Sequence, residues 1–95
     1  GRILSEAKGA ETIDLKRLKK VTALKIFTDS GMLKAEISSD GSKWESVYEN
    51  SAGKGCLNLE IKNYEAGTTV IGKEIRFIRL NEDKKIIKKV IVYGY

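Results

Sequence analysis

Apolar and polar residues alternate along most of this chain, and this period of two constrains its fold more than any other feature. Every second residue is apolar at 32–38, and the segments 56–62 and 21–27 repeat the pattern. Successive side chains of a strand point to opposite faces of a sheet, so these segments predict strands with one buried face. Two further segments, 75–80 and 86–93, are rich in β-branched and aromatic residues, which also favour strands.

Two shorter strands, at 12–15 and 43–48, complete the prediction. Segment 14–20 has Leu15 and Leu18 three residues apart, but it is too short for a stable helix, so we interpret it as a turn or a single helical turn. Turn-forming segments separate the strands, at 29–31, 40–41, 52–55, 65–67 and 81–83. About seven short strands with such spacing predict an all-β fold, a compact antiparallel β-sandwich.

The composition limits the chemistry of this chain. It has no histidine, the commonest general base and metal ligand, and its single cysteine excludes an internal disulfide. No apolar run approaches the roughly 20 residues of a membrane helix. We therefore predict a protein that is not an enzyme and has no cofactor, metal site or membrane span. Because the chain has 95 residues and does not begin with methionine, we interpret 1–95 as one domain excised from a larger protein, monomeric when isolated.

Basic residues are concentrated at the two ends of the chain. Residues 1–25 and 73–95 each carry seven basic and three acidic side chains, and the net charge is +5. If the two ends meet in the fold, these lysines and arginines form one basic face that favours a polyanion. The alternative is a set of solvated strand exteriors, and nucleic acid is disfavoured because no aromatic residues interleave. The predicted basic patch consists of Lys16, Arg17, Lys19, Lys20, Lys84, Lys85, Lys88 and Lys89.

The most informative motif is the segment 38–44, SSDGSKW. Asp40 and Gly41 predict a hairpin turn, because glycine accepts a positive φ without steric cost. Trp44 then returns on the second strand, where its indole can close over one end of the core. Trp44 and Val47 are three residues apart, which breaks the alternation and predicts a bulge.

This motif resembles the S-x-D-G-x-x-W hairpin of discoidin-like domains, also called coagulation-factor type C domains. Three other segments resemble that family in the same order: TIDL with VTALKI at 12–26, IRFIRL at 75–80 and VIVYG at 90–94. The resemblance covers 11–94 and implies a jelly-roll sandwich of galactose-binding-like fold. It implies a non-catalytic module of a larger, extracellular or cell-surface protein that binds sugars, phospholipids or proteins through loops at one end. The implied structural core motif is Asp40, Gly41, Trp44 and Arg79.

The chain also departs from that family. Ten residues precede Glu11, where full members carry two ligand loops, and a third ligand loop is here the short turn at 28–31. Lys89 stands where the family often has a glutamate that helps hold calcium, and calcium requires oxygen ligands, so we expect none there. We expect the sandwich to be kept while much of the ligand-binding end is reduced.

Few residues remain as ligand-binding candidates. Tyr64 lies in a predicted loop, where its ring can stack on a sugar, beside Asn63; the short turn contributes Asp29 and Ser30. A second feature is the alternating row Ile91, Tyr93 and Tyr95. If this row points outward, it predicts an apolar stripe covered by another domain, and the alternative is ordinary packing.

Three functions are consistent with these observations. The first is a non-catalytic module that recognises a glycan or surface ligand weakly. The alternative is a structural or protein-interaction module that docks neighbouring domains, and the third is binding of a polyanion by the terminal lysines. The resemblance predicts an extracellular or cell-surface location, and the lack of disulfides leaves the cytoplasm open.

Overall fold

The computed structural model describes residues 1–9, 12–80 and 86–95. This part of the chain forms nine strands that pair antiparallel. The strands are β1 (Arg2–Ala7), β2 (Thr12–Thr28), β3 (Gly31–Ser38), β4 (Glu45–Ala52), β5 (Gly55–Glu60), β6 (Lys62–Glu65), β7 (Thr68–Ile71), β8 (Lys73–Leu80) and β9 (Ile87–Gly94). The all-β prediction is confirmed. The count differs because two predicted strands merge into β2, while β1, β6 and β7 were not predicted.

The long strand β2 organises the main sheet. The strand order is β1-β9-β2-β8-β3-β4, and β5 also pairs with β2. The first part of β2, up to Val21, pairs with β8, whereas the part from Val21 to Thr28 pairs with β9. β5 pairs with β2 from Ala23 onwards. Thus β2 belongs to both halves of the sandwich, one built on β8 and β3 and the other on β9 and β1.

The core lies between these halves and follows the alternation. Leu33, Ala35 and Ile37 on β3 are at most 1% exposed, and Leu24 and Ile26 on β2 are fully buried, as predicted. The predicted stripe at 57–61 is less uniform, because only its last member is buried. Burying one such aliphatic side chain stabilises the fold by about 1.5–3 kcal/mol, so this cluster dominates stability. The core is completed by Ile75, Ile78 and Leu80 on β8 and by Val90 and Val92 on β9.

The interpretation of 14–20 as a turn or helical turn is wrong. The whole segment belongs to β2, and its pairing with β8 shifts register between Asp14 and Lys19. Lys16 has a φ of 76°, and its backbone N–H donates to Asp14 Oδ1 at 2.8 Å. Leu15 is buried in the core while Leu18 is 51% exposed. A bulge therefore absorbs the irregular pattern, because β8 supplies backbone partners that a single helical turn lacks.

The connection between β3 and β4 contains the predicted Asp-Gly turn, and the predicted bulge lies within β4. Ala35 pairs with Tyr48 but Glu36 pairs with Ser46, which leaves Val47 as the bulged residue. Gly41 has a φ of 81°. A Cβ at this position would lie 3.3 Å from the ring of Phe77, so glycine suits both the backbone and the space.

Candidate functional site

A polar groove lies beside the first residues of β8; we call it the end groove. It consists of two adjoining cavities that share Lys73 and Glu74, with volumes of about 220 and 530 Å³. The polar and aromatic residues lining the smaller cavity include Ser38, Ser39, Lys43, Trp44 and Glu45. Those lining the larger one include Lys20, Asn63, Glu65 and Gly72.

The strand register explains why the end groove is open. β3 pairs with β8 only as far as Ser38, which lies opposite Phe77. The earlier residues of β8 extend past the end of β3 and keep only β2 as a neighbour, with Lys20 opposite Glu74 and Val21 opposite Lys73. The β3–β4 connection and the β6–β7 hairpin therefore form walls on either side of a strand segment that is paired along one edge only.

Charges in the end groove are balanced. Among the described residues, three lysines and three glutamates line its two cavities. Lys73 forms an ion pair with Glu45, and the side-chain amide of Asn63 donates to Glu65 Oε1 at 2.7 Å. Lys20 has no ion pair with another described residue, and the same holds for Glu74. The groove therefore offers a polar ligand an ammonium and a carboxylate that no other described residue engages in an ion pair.

Trp44 forms an aromatic wall of the end groove and is fixed from behind. The Arg79 guanidinium lies 3.9 Å from the centroid of the indole, and Arg79 Nε donates to Glu36 Oε1 at 3.0 Å. This hydrogen bond from Arg79 holds the pKa of Glu36 below its usual range. The indole is half-buried, so it presents a held apolar surface to the groove.

The other half of the motif keeps the β3–β4 connection in place. Asp40 Oδ1 accepts hydrogen bonds from the backbone N–H groups of Ser42 and Lys43, at 2.8 and 3.0 Å. These two bonds hold the pKa of Asp40 below its usual value. Ser38 Oγ accepts the N–H of Gly41 at 2.8 Å. Asp40 thus acts as a local cap, whereas Arg79 contacts the indole of Trp44 and the carboxylate of Glu36.

The four candidate ligand residues do not converge on one site. Asn63 lines the end groove, but Tyr64 is 77% exposed and lies in strand β6, not in the predicted loop. β6 begins beside Thr22, because the Ile61 N–H donates to the Thr22 carbonyl oxygen. Asp29 and Ser30 follow Thr28, and six residues of extended strand span roughly 20 Å. The two pairs therefore lie at opposite ends of the second part of β2.

The Asp29–Ser30 end has a different character. The Asp29 carboxylate pairs with Lys88 at 3.0 Å, so its charge is neutralised. Ser30 lines a separate cavity of about 440 Å³ whose walls combine the apolar residues Met32, Leu33 and Ile86 with the ion pair of Lys34 and Glu49. This cavity has no aromatic wall among its lining residues.

The described members of the predicted basic patch do not form one face. β1 pairs with β9, so the chain ends do meet. However, Lys20 lies at one end of the second part of β2, whereas Lys89 pairs with Phe27 near the other end, again roughly 20 Å away. Lys89 also pairs with Glu6 at 2.6 Å. The remaining members lie as follows: Lys16 and Arg17 are exposed at the bulge, Lys19 is half-buried opposite Ile75, Lys88 pairs with Asp29, and Lys84 and Lys85 lie outside the described residues.

The predicted outward row is only partly outward. Ile91 is 8% exposed, Tyr93 is half-buried and Tyr95 is 65% exposed. The expectation of a continuous apolar stripe is wrong, because its first member, Ile91, is buried. Among residues 1–9, 12–80 and 86–95, no helix is long and apolar enough to cross a membrane.

Sequence reasoning did not identify the centre of the end groove, which includes Gly72, Lys73 and Glu74. Lys20 was assigned to a basic patch, and its partner across the sheet was not recognised. The only local signal was a polar Gly-Lys-Glu sequence directly before a predicted strand. The groove brings together side chains from four distant parts of the chain, and alternation alone does not indicate which strands are neighbours.

No known family model matches this chain, and no curated protein matches its sequence. Several solved structures are similar to it, including the following three. CpGH89CBM32-6 of Clostridium perfringens, a carbohydrate-binding module, has 25% identity and a TM-score of 0.65, covering 88% of this chain and 67% of that one. Chitosan-binding module 1 of a chitosanase/glucanase from Paenibacillus sp. IK-5 has 17% identity and a TM-score of 0.53, covering 93% and 73%. The C-terminal domain of a chitobiase from Bacteroides fragilis has 18% identity and a TM-score of 0.59, covering 88% and 61%.

The Paenibacillus and Bacteroides structures are less than 25% identical to this chain, so their similarity shows the fold alone. Together with the first, they show that the chain has the β-sandwich found in carbohydrate-binding modules, consistent with a galactose-binding-like fold.

Proposed function

We propose that this chain is a non-catalytic module of a larger extracellular protein and that it binds a glycan weakly. The observation that carries the proposal is its likeness to the carbohydrate-binding module CpGH89CBM32-6, at 25% identity over 88% of this chain. Two other similar structures are named as parts of a chitosanase/glucanase and a chitobiase, which supports an accessory role beside a catalytic domain.

The discoidin-like relationship is part of the same proposal. The SSDGSKW connection resembles that family's hairpin, and in this fold it carries the Trp44–Arg79 contact. We propose that 1–95 is a single domain of this kind in which Asp40, Gly41, Trp44 and Arg79 have structural roles. The location outside the cell follows from the same relationship.

We propose the end groove as the glycan site. Sugars present hydroxyl groups around an apolar ring face, so a sugar site combines an aromatic wall with a few donors and acceptors. The end groove has Trp44 as its wall, Lys20 as a donor and Glu74 as an acceptor. Asn63 adds an amide that can serve as either. The cavity at Ser30 has polar side chains, including Lys34 and Glu49, but no aromatic residue among its lining residues.

A glycan array followed by calorimetric titration tests the proposal. We expect saturable binding of at least one glycan with a Kd between about 1 μM and about 1 mM, the range of lone weak modules. Asn63→Ala should weaken that binding about tenfold, since a hydrogen-bonding group of the groove is lost. Tyr64→Ser is the matched control, because it changes the next residue on the same strand. No binding of any glycan at millimolar concentration would falsify the proposal.

A protein-docking function is the second candidate. Ile3 and Tyr93 are partners across β1 and β9, and Ile3 is 54% exposed. With the exposed Tyr95 they give the outer side of β1 and β9 some apolar surface that a neighbouring domain can cover. If no glycan binds but the module co-purifies with a flanking domain, and Tyr95→Ser disrupts that association, docking is the better description.

Binding of a polyanion is disfavoured, because two lysines of the predicted basic patch already pair with Asp29 and Glu6.

A further inference from the structure

Lys20 and Glu74 are direct partners across the sheet in the floor of the end groove. Lys20 lies on β2 and Glu74 on β8, and the antiparallel register places them opposite each other. Directly opposed residues have Cβ atoms roughly 4.5–5.5 Å apart and point to the same face. Both side chains are exposed and line the same cavity. A donor and an acceptor therefore stand side by side, with neither engaged by another described residue.

The Lys20 side chain packs over the backbone of Gly72. A Cβ at Gly72 would lie 2.8 Å from Cε of Lys20, so the lysine stem lies over a residue without a side chain. Gly72 is itself held, because its N–H donates to the carbonyl oxygen of Ile61 at 2.7 Å and its φ is 105°. Glycine tolerates this φ without strain. The absence of a side chain at Gly72 therefore permits both the backbone conformation and the position of the Lys20 side chain.

The charge around this pair selects against charged ligands. Lys43 and Lys73 line the groove together with Glu45 and Glu65, in addition to the pair itself. An anionic sugar placed beside Lys20 meets the carboxylate of Glu74, and a cationic amino sugar placed beside Glu74 meets the ammonium of Lys20. Like charges at such distances are repulsive, which gives specificity against both classes.

We propose that Lys20 and Glu74 are the specificity-determining pair of the end groove and bind two neighbouring hydroxyl groups of one uncharged sugar. The ammonium donates to one hydroxyl oxygen, and the carboxylate accepts from the hydroxyl on the adjacent carbon. This inference rests on the proposed function and names its ligand class: a neutral glycan with a free vicinal diol, in preference to polymers of glucosamine or of uronic acid.

The first experiment compares ligand classes on the intact 95-residue chain. An array carries neutral oligosaccharides of glucose, galactose, mannose, xylose and N-acetylglucosamine beside oligomers of glucosamine and of galacturonate. We expect the neutral set to contain the strongest ligand. We also expect its Kd to change less than about twofold between about 0.05 and 0.5 M NaCl, because the binding of a neutral ligand releases no counterions.

The second experiment separates the pair from the rest of the groove. Lys20→Met keeps the aliphatic stem over Gly72 but removes the donor, and Glu74→Gln keeps the shape but removes the charge. Each should weaken binding of the neutral glycan selected on the array at least tenfold without changing the melting temperature, because hydrogen bonds to charged groups are the strong ones. Lys54→Met and Glu60→Gln are the matched controls, since both residues are exposed and neither lines the end groove.

The outcomes distinguish this inference from the function on which it rests. A neutral glycan that binds equally well to Lys20→Met, Glu74→Gln and the unaltered protein overturns the pair while leaving a glycan-binding module. A clear preference for glucosamine or galacturonate oligomers overturns the ligand class in the same way. Failure to bind any glycan on the array removes the proposed function and this inference together.

Discussion

Two arginines on β8 illustrate how single side chains secure the outer surface of this small sandwich. Arg76 donates to both carboxylate oxygens of Asp14, at 2.8 and 3.1 Å, and its guanidinium lies 4.8 Å from the ring of Phe77. Arg79 repeats the arrangement with Glu36 and Trp44. In each case a planar guanidinium joins a carboxylate on a neighbouring strand to an aromatic ring, a combination that lysine reproduces poorly.

Asp14 should make the stability of the fold sensitive to acid. The hydrogen bond from Arg76 and that from the Lys16 N–H lower the pKa of Asp14 from 3.8 to about 2. Because the pKa is lower in the folded chain than in the unfolded one, this stabilisation is present above about pH 4 and is lost as the pH falls towards about 2. Asp14→Asn should therefore be less stable than the unaltered protein at pH 7, and the difference should vanish between about pH 4 and pH 2. Urea unfolding across this range measures the difference; a constant gap would contradict the assignment.

Arg79 should be needed for the environment of the single tryptophan. Arg79→Met removes both the ring contact and the hydrogen bond to Glu36, and we expect a loss of about 1–2 kcal/mol in the free energy of unfolding. Arg79→Lys should lose less, because it keeps a cation but not the planar stack. Tryptophan fluorescence reports directly on the site, since Trp44 is the only such residue. Unchanged emission and stability in Arg79→Met would show that the contact contributes nothing.

These residue-level contacts were only partly predictable. The tryptophan and the Asp-Gly turn are visible in the motif, but the partner of Trp44 is 35 positions further along the chain. Glu36 and Arg79 become neighbours only because β3 and β8 pair in one register, which places them opposite each other. Alternation predicts which face of a strand is buried, but it does not specify which residue of another strand lies opposite.

At the scale of the elements, β9 approaches β2 so closely at Gly94 that no side chain fits between the two strands. A Cβ at Gly94 would lie 2.0 Å from the backbone oxygen of Lys20, and the adjacent Tyr95 N–H donates to that same oxygen. Gly94→Ala must therefore displace backbone, and we expect it to cost more than about 2 kcal/mol. Gly53→Ala is the matched control, because nothing lies within 4 Å of its Cβ, and it should change stability by less than about 0.5 kcal/mol. Thermal and urea unfolding compare the two; equal stability of both variants would refute the close approach.

The strands themselves were the most predictable elements. The stripes on β2 and β3 are buried as expected, because one solvated face and one core face force a strict period of two. The segment 14–20 was misassigned, since the spacing of Leu15 and Leu18 matches a helix as well as a bulged strand. Only the backbone of β8, which pairs on both sides of the irregularity, decides between these possibilities.

At the scale of the whole molecule, the sandwich and the site differ in how far the sequence predicts them. The fold depends on a repeated pattern that each strand carries within itself. The end groove depends on the ends of strands that are distant in sequence, so Lys20 resembled one more residue of a basic run. The fold shows Lys20 instead as a residue of the end groove, with Glu74 opposite it and Gly72 beneath its aliphatic stem.

The sharing of β2 between both halves has a consequence for how the molecule opens. Its first part bonds to β8, and its second part bonds to β5 and β9 along opposite edges. Neither half can separate without breaking backbone hydrogen bonds of β2, and the other half depends on the same strand. We therefore expect the two halves to unfold together rather than one after the other. We expect hydrogen exchange to find the central β2 amides, from Leu24 to Ile26, protected up to the full free energy of unfolding. The amide hydrogens of the separate β6–β7 hairpin should exchange much faster. The groove wall that carries Asn63 can therefore open locally while the rest of the module stays folded.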